Sequence, residues 1–211
     1  MSEAIALTRA GLVPYLEALE LQRALHGEIV SGARTNTLIL LEHPSVFTAG
    51  KRTSDGERPV DGTPVIDVDR GGKITWHGPG QLVGYPIVRL AKPTELVGFV
   101  REIESGLIKV CSDFGISTER IAGRSGVWVN DARGARKIAA IGIRVAGGVT
   151  MHGFALNVNP DLSAFAQIIP CGISDADVTS MALELGRNIT VDEVMESIEK
   201  HIFESLAKVS I

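Results

Sequence analysis

Two side chains in this sequence have the means for covalent chemistry. Cys171 lies in Ile168-Ile169-Pro170-Cys171-Gly172-Ile173, where proline fixes the backbone ahead of the sulfur and glycine behind it leaves one side open. A thiolate in such a setting is a strong nucleophile, and a buried structural cysteine is the plainer alternative. Lys137 lies in Arg136-Lys137-Ile138-Ala139-Ala140-Ile141-Gly142, an otherwise apolar strand. A lysine entering such a strand either reaches solvent from an edge or is held in a site that alters its basicity. A nucleophilic cysteine needs a partner that favours thiolate or moves protons, and Lys137, His77 and His152 are the candidates. His43 in Glu42-His43-Pro44 is a further one, whereas His26 and His201 read as helix residues. His152 interrupts a strand in Met151-His152-Gly153-Phe154, with a glycine beside it to open room for a ligand.

The densest unusual stretch is Arg70-Gly71-Gly72-Lys73-Ile74-Thr75-Trp76-His77-Gly78-Pro79-Gly80-Gln81, with four glycines and a proline around one imidazole. Glycine costs backbone entropy and gives up packing, so four here need a steric reason. The expected reason is a ligand lying against the backbone, with a loop between strands as the alternative. The tract lacks the Lys-Ser/Thr ending of a phosphate-binding loop and does not match the dinucleotide fingerprint. No serine sits in a nucleophile elbow, and no His-Glu-x-x-His helix occurs.

The elements that must position these groups can be read from periodicity. Residues 14–26 and 94–114 predict helices, the second with Leu96, Phe99, Val100, Ile103, Leu107, Val110, Cys111 and Phe114 on one apolar face. Cys111 therefore reads as a core residue. A last helix begins at the capping box Thr190-Val191-Asp192-Glu193 and turns Val194, Ile198, Ile202 and Leu206 inward. Residues 37–41, an unbroken apolar run, predict a buried strand; residues 65–68 and 84–88 are further strands. Residues 126–130, 137–145 and 150–158 predict strands joined by tight turns, the second at Gly147-Gly148. The fold class is α+β, a mixed and largely antiparallel sheet with packed helices.

At 211 residues and 45% hydrophobic content, the chain fits one domain spanning 1–211. It has no apolar run near the roughly 18 residues of a membrane helix, and its start does not read as a secretory signal. Two cysteines make no disulfide framework or zinc pattern. A cytoplasmic, membrane-free monomer is expected. The net charge of -4 argues against general nucleic-acid binding. Six basic residues between Arg120 and Arg144 nevertheless face Asp131 alone, which suits an acidic partner or a solvated hairpin.

Several blocks, taken together, resemble the lipoyl(octanoyl) transferases. These are Arg70-Gly71-Gly72 through Thr75, His77-Gly78-Pro79-Gly80-Gln81, Tyr85-Pro86 and Gly123-Arg124-Ser125-Gly126-Val127-Trp128. Lys137-Ile138-Ala139-Ala140-Ile141-Gly142, His152-Gly153-Phe154-Ala155-Leu156-Asn157-Val158, Pro170-Cys171-Gly172 and Thr179-Ser180-Met181 follow in order. Trp76, where many members have tyrosine, is a small departure. The resemblance implies the catalytic-domain fold shared with biotin and lipoate protein ligases. It implies transfer of an octanoyl group from octanoyl-acyl carrier protein through a Cys171 thioester to a lysine of lipoyl domains, the first step of endogenous protein lipoylation. Lys137 corresponds to the lysine that lowers the thiol's pKa or moves protons. The acceptors implied are the lipoyl domains of 2-oxoacid dehydrogenase E2 subunits and the glycine cleavage H protein. The implied pocket comprises Arg70, Gly71, Gly72, Lys73, Ile74, Thr75, Trp76 and His77, then Ala140, Ile141 and Gly142, then His152, Gly153, Phe154 and Ala155. A thioester donor is already activated, so no ATP and no metal are expected. Backbone N–H groups beside Gly172 or around Gly78 and Gly80 are candidate oxyanion donors. The glycines make room for the acyl chain, and the basic stretch from Arg120 to Arg144 meets the acidic carrier. The competing readings are an ATP-dependent lipoate or biotin ligase and a non-catalytic acyl-carrier binding module.

Overall fold

A computed structural model of the chain describes residues 5–59, 62–168 and 177–211. The first half runs β1 (Ala6–Leu12), α1 (Tyr15–Ser31), β2 (Thr37–Glu42), β3 (Val46–Ala49), β4 (Val65–Asp67), β5 (Thr75–His77) and β6 (Gln81–Ile87). The second half runs α2 (Leu96–Asp113), β7 (Glu119–Ile121), β8 (Arg124–Asp131), β9 (Gly134–Ala146) and β10 (Val149–Asn157). It closes with β11 (Asp177–Val178), α3 (Met181–Leu185) and α4 (Val191–Leu206).

The main sheet has the order β1-β2-β6-β10-β9-β8-β7, with β11 added on β9. Its neighbours are antiparallel except for the parallel pairs β1–β2 and β9–β11. A small sheet, β4-β3-β5, makes a second layer. Strand β2 explains why an unbroken apolar run was needed. Leu38 and Leu40 enter the core beneath α2 and α4, while Ile39 and Leu41 enter the core beneath α1. Both faces are covered, so both alternating sets are apolar.

Helix α2 buries Phe99, Ile103, Leu107, Val110 and Cys111, as its periodicity predicts, and each large side chain contributes roughly 1.5–3 kcal/mol. Burial drives the Cys111 thiol up to about 12, so it stays an inert core group. Helix α4 starts at the predicted capping box, with the Thr190 hydroxyl accepting from the Glu193 N–H. Helix α1 runs past the expected end. Leu25 and Ile29 are buried one turn apart, which carries the helix through Gly27 until Gly32, with φ 77°, stops it. The β9–β10 hairpin turns on Gly147 and Gly148 at φ 56° and 76°, the left-handed pair that a two-residue turn demands. Strand β5 lies inside the glycine-rich tract and pairs with β3, Val46 facing His77 and Thr48 facing Thr75.

No described helix is long and apolar enough to cross a membrane.

Candidate active site

The register of one strand pair decides which way Lys137 points. Val127 of β8 faces Ala139 of β9, but the next residue, Trp128, faces Lys137. Ile138 is the extra residue of a β-bulge. As a result Ile138 and Ala139 both enter the core beneath α2 and α4, while Lys137 and Ala140 both line a cavity on the opposite face. Residues three apart on a regular strand would face opposite ways. Gly126, at φ 109°, permits the close approach, because a Cβ there would stand 2.4 Å from the Ala139 carbonyl oxygen. The Gly126 N–H donates to Glu104 Oε1 at 2.9 Å, and that fully buried carboxylate also accepts from Arg101 and Arg120.

The cavity encloses about 230 Å3 between the main sheet and the small sheet. Its floor is a track of cross-strand pairs, Ala140 facing Ala155 and Gly142 facing Gly153. The Ala140 and Ala155 end of this floor is open, whereas Arg70 and the Gly71 carbonyl stand over Gly142 and the Gly84 carbonyl crowds Gly153. At one end stands Lys137, 7% exposed. Its ammonium lies 4.7 Å from the Trp128 ring centroid and has neither a hydrogen-bond nor a carboxylate partner among the described residues. At the other end the Arg70 guanidinium donates to the carbonyls of Thr48, Gly71 and Lys73, and lies over Gly142.

The imidazoles are held differently. His77 Nδ1 and Gln81 Oε1 are 2.7 Å apart, with the ring nitrogen donating; Gln81 Nε2 donates to Asn157 Oδ1, and Asn157 Nδ2 to the Thr179 carbonyl. The Thr179 N–H returns to the Lys137 carbonyl. Burial, with His43 and Arg70 nearby, lowers the His77 pKa to about 3 against the pull of Gln81. His77 is therefore neutral, with Nε2 as an acceptor. His43 donates from Nδ1 to the Val13 carbonyl and accepts from the Tyr85 hydroxyl at Nε2; burial lowers its pKa as well. Tyr15 stacks on His77 and tilts against His43.

His152 sits at φ 60°, a strained conformation for a side chain of its size. Buried Gln22 of α1 secures it by accepting from its backbone N–H at 3.0 Å. Its Nε2 donates to Asp69 Oδ1 at 2.7 Å. Burial pushes Asp69 up, but the His152 bond and the neighbouring Arg144 hold it below the usual carboxylate range. Burial lowers His152 more than Asp69 raises it. Its Nδ1 is buried without a partner among the described residues.

A buried cation facing a channel floored by small residues suits acyl chemistry, and comparison with known proteins agrees. Residues 14–203 match the family model described as the lipoyl protein ligase A/B catalytic domain. The chain is 60% identical over 200 residues to the octanoyltransferase of Salinispora tropica, covering 94% of each chain. It is 58% identical over 195 residues to that of Mycobacterium tuberculosis, covering 92% of this chain and 84% of the other. The chain belongs to the octanoyltransferases. As a member of that family it is an acyltransferase. The lipoylation-ligase fold is shared with a bipartite lipoate protein ligase of Thermoplasma acidophilum, at TM-score 0.72 and 16% identity over 98% of this chain and 84% of that one. A lipoate-protein ligase A bound with ATP superposes at TM-score 0.69 and 15% identity, over 98% and 86% of the two chains.

For this octanoyltransferase, the structure brings Arg70, Gly72, Lys73, Thr75, His77, Ala140, Gly142, His152, Gly153 and Ala155 to one cavity with Lys137. Ile141 and Phe154 border it, though their side chains pack toward the core beneath α2 and α4. Ile74 and Trp76 face the other way, into a separate core with Phe47, Phe165 and Ile168; β5 alternates, so only Thr75 and His77 look inward. Gly71 lies against the Ile143 carbonyl. Cys171 and Gly172 lie outside the described residues.

Three expectations need correction. Two of the tract's four glycines, Gly78 and Gly80, are crowded by the protein itself, while Gly72 lines the cavity. A Cβ on Gly78 would stand 2.1 Å from the Trp76 ring and one on Gly80 2.5 Å from the Asn159 carbonyl oxygen; outside the tract, one on Gly153 would stand 1.8 Å from that of Gly84. Gly80 is also no oxyanion donor, since its N–H is given to Glu42 at 2.6 Å. The basic stretch is largely neutralised within the fold. Arg133 and Arg136 pair with Asp131 and Glu184, Arg120 with Glu104 and Arg144 with Asp69. Sequence reasoning passed over Tyr15, Arg52, Val83 and Asp69, which line the cavity or steer its lining. Tyr15 alone carried a signal, as an aromatic at the start of the first helix.

Proposed function

We propose that the chain moves an octanoyl group from octanoyl-acyl carrier protein through a thioester on Cys171 to the lysine amine of lipoyl domains. The observation that carries this reading is the Lys137 ammonium, buried at the head of the small-residue channel with no anion among the described residues to balance it. A buried cation is costly unless a negative group accompanies it, and a cysteine thiolate is such a group. Strand β11, which follows the Cys171 segment in the chain, hydrogen-bonds as a parallel strand beside Arg136 and Lys137.

The first half-reaction forms a bond between Cys171 Sγ and the acyl carbonyl carbon and breaks the donor's C–S bond. Lys137 favours the attacking thiolate by charge and gives its proton to the departing carrier thiolate. In the second half-reaction the acceptor amine attacks the acyl-enzyme, a C–N bond forms, and the Cys171 C–S bond breaks. The amine's proton passes to neutral Lys137, which is ready again for the thiolate. The acyl tail lies in the cavity over Ala140 and Ala155, the part of the floor that neither Arg70 nor the Gly84 backbone covers. A thioester donor supplies the activation, so neither ATP nor a metal enters. Lipoyl domains as acceptors accord with the relatives, and the domains of 2-oxoacid dehydrogenase E2 subunits and the glycine cleavage H protein are the ones proposed. The reaction is assigned to the cytoplasm and to a monomer.

Intact-mass measurement after mixing with octanoyl-acyl carrier protein tests the reading. A covalent octanoyl adduct is expected without ATP and is expected to vanish in Cys171→Ala. Lipoyl-domain modification that requires ATP and free octanoate would overturn it in favour of a ligase.

A further inference from the structure

Trp128 is 1% exposed, and a large buried indole on a sheet would ordinarily be counted as core. Three observations set it apart. It is the cross-strand partner of Lys137 at the bulge, and its ring centroid lies 4.7 Å from the Lys137 ammonium. Its Nε1–H is buried with no acceptor among the described residues. An unpaired buried donor is a cost that phenylalanine or leucine would avoid. What indole offers in exchange is the aromatic face that attracts cations most strongly; the Lys137 ammonium is the nearer of two cations on it, the Arg124 guanidinium lying 5.7 Å from the ring centroid. The strand around it is also built with care: Glu104 receives the Gly126 N–H, and Gly126 takes a backbone conformation that side chains rarely adopt.

We infer that Trp128 is a positioning residue for Lys137, holding the ammonium on its π face at the head of the channel. This rests on the Cys171–Lys137 reading above. A lysine stem has four rotatable bonds and three donors, and here no acceptor among the described residues directs it. The indole face supplies a direction without supplying a negative charge. A carboxylate in the same place would pair with the ammonium and compete with the thiolate. An aromatic face stabilises the charged lysine without adding an anion that would compete with the thiolate.

The test weakens the π face without changing its shape. The protein has two tryptophans, Trp76 and Trp128, so it is produced with a series of increasingly fluorinated tryptophans. The same series in Trp128→Phe reads the contribution of Trp76, and in Arg124→Gln, which removes the second cation on the ring, the fluorine dependence should persist. Two quantities are followed: the pH midpoint of Cys171 alkylation, located by peptide mass, and the single-turnover rate of acyl-enzyme formation. With rising fluorine content the midpoint should move to higher pH. The rate should fall about three- to tenfold over the series, the scale of one cation–π contact. Trp128→Phe should fall between wild type and Trp128→Leu, with both quantities flat across its own series. A midpoint and rate that ignore fluorination, in a protein that still forms the Cys171 adduct, would overturn the inference. A wild-type protein that forms no adduct would instead fail the earlier reading. Trp128→Leu is not needed to decide if it does not fold.

Discussion

The two ends of the cavity treat their polar groups in opposite ways. In the cavity wall away from Lys137, His77 and His152 each donate a hydrogen bond to a fixed acceptor, Gln81 and Asp69, and His43, behind the wall, donates to the Val13 carbonyl. The Arg70 guanidinium is likewise shared among backbone carbonyls. At the other end, Lys137 is buried on an aromatic face without an anion among the described residues. Groups directed in this way stabilise a shape, even with His152 Nδ1 left unpartnered among the described residues. An ammonium that opens on the cavity with no carboxylate partner among the described residues is left to pair with a reacting group.

The largest effect should come from removing the unbalanced charge. Lys137→Met should lower single-turnover acyl transfer by on the order of 10²–10⁴-fold while leaving the melting temperature level or higher, because it removes a buried cation. Activity near wild type would break the contrast between the two ends. Next in size is Glu104→Ala, which strips the carboxylate that anchors Gly126 and receives two arginines. It should destabilise by about 3 kcal/mol in urea unfolding; a loss below ~1 kcal/mol would show that the β8 bulge stands without it. Asp69→Ala leaves the His152 N–H unpaired, for roughly 1–3 kcal/mol of stability. It should raise KM more than it lowers kcat. His152 pairs with Ile143, five ladder steps from Lys137 once the bulge is discounted, or on the order of 17 Å. A kcat effect with unchanged KM would place His152 in the chemistry.

The smallest effect is a slope. The folded pKa values of His77, His43 and His152 lie below the ordinary 6.5, so below that pH the unfolded chain binds more protons than the folded one. Their stabilising contribution is complete above about pH 6.5 and is lost as pH falls, toward about 3 for His77. Urea unfolding between pH 7.5 and 4.5 should show this decline, and His77→Gln should flatten it by up to ~1.4 kcal/mol per pH unit. An identical slope in the variant would mean that His77 does not stay neutral.

Much of the scaffold was legible because its cause is local. The α2 stripe, the α4 capping box, the two-glycine hairpin and the doubly buried β2 each follow from residue order alone. Strand β1 was not legible. Its edge position leaves nearly every residue exposed, so no alternation marks it. Strand β5 was hidden in a tract whose glycines drew attention to themselves.

The same division holds for the site. Residue order alone singled out Cys171 and Lys137 as a thiol beside glycine and an amine in an apolar strand, and the motif blocks named the family that the relatives bear out. Tertiary structure decided which way side chains point and what neutralises what. The inward aim of Lys137 depends on one extra residue in β9 opposite β8, and parity across a bulge exists only once two strands are paired. Trp76 and Ile74 turned away from the cavity for the same reason, because alternation on β5 is set by its pairing with β3. The arginines lost their availability to Asp131 and Glu184, the latter 48 residues along the chain from Arg136. Contacts at that separation are made by the fold, and no local pattern encodes them.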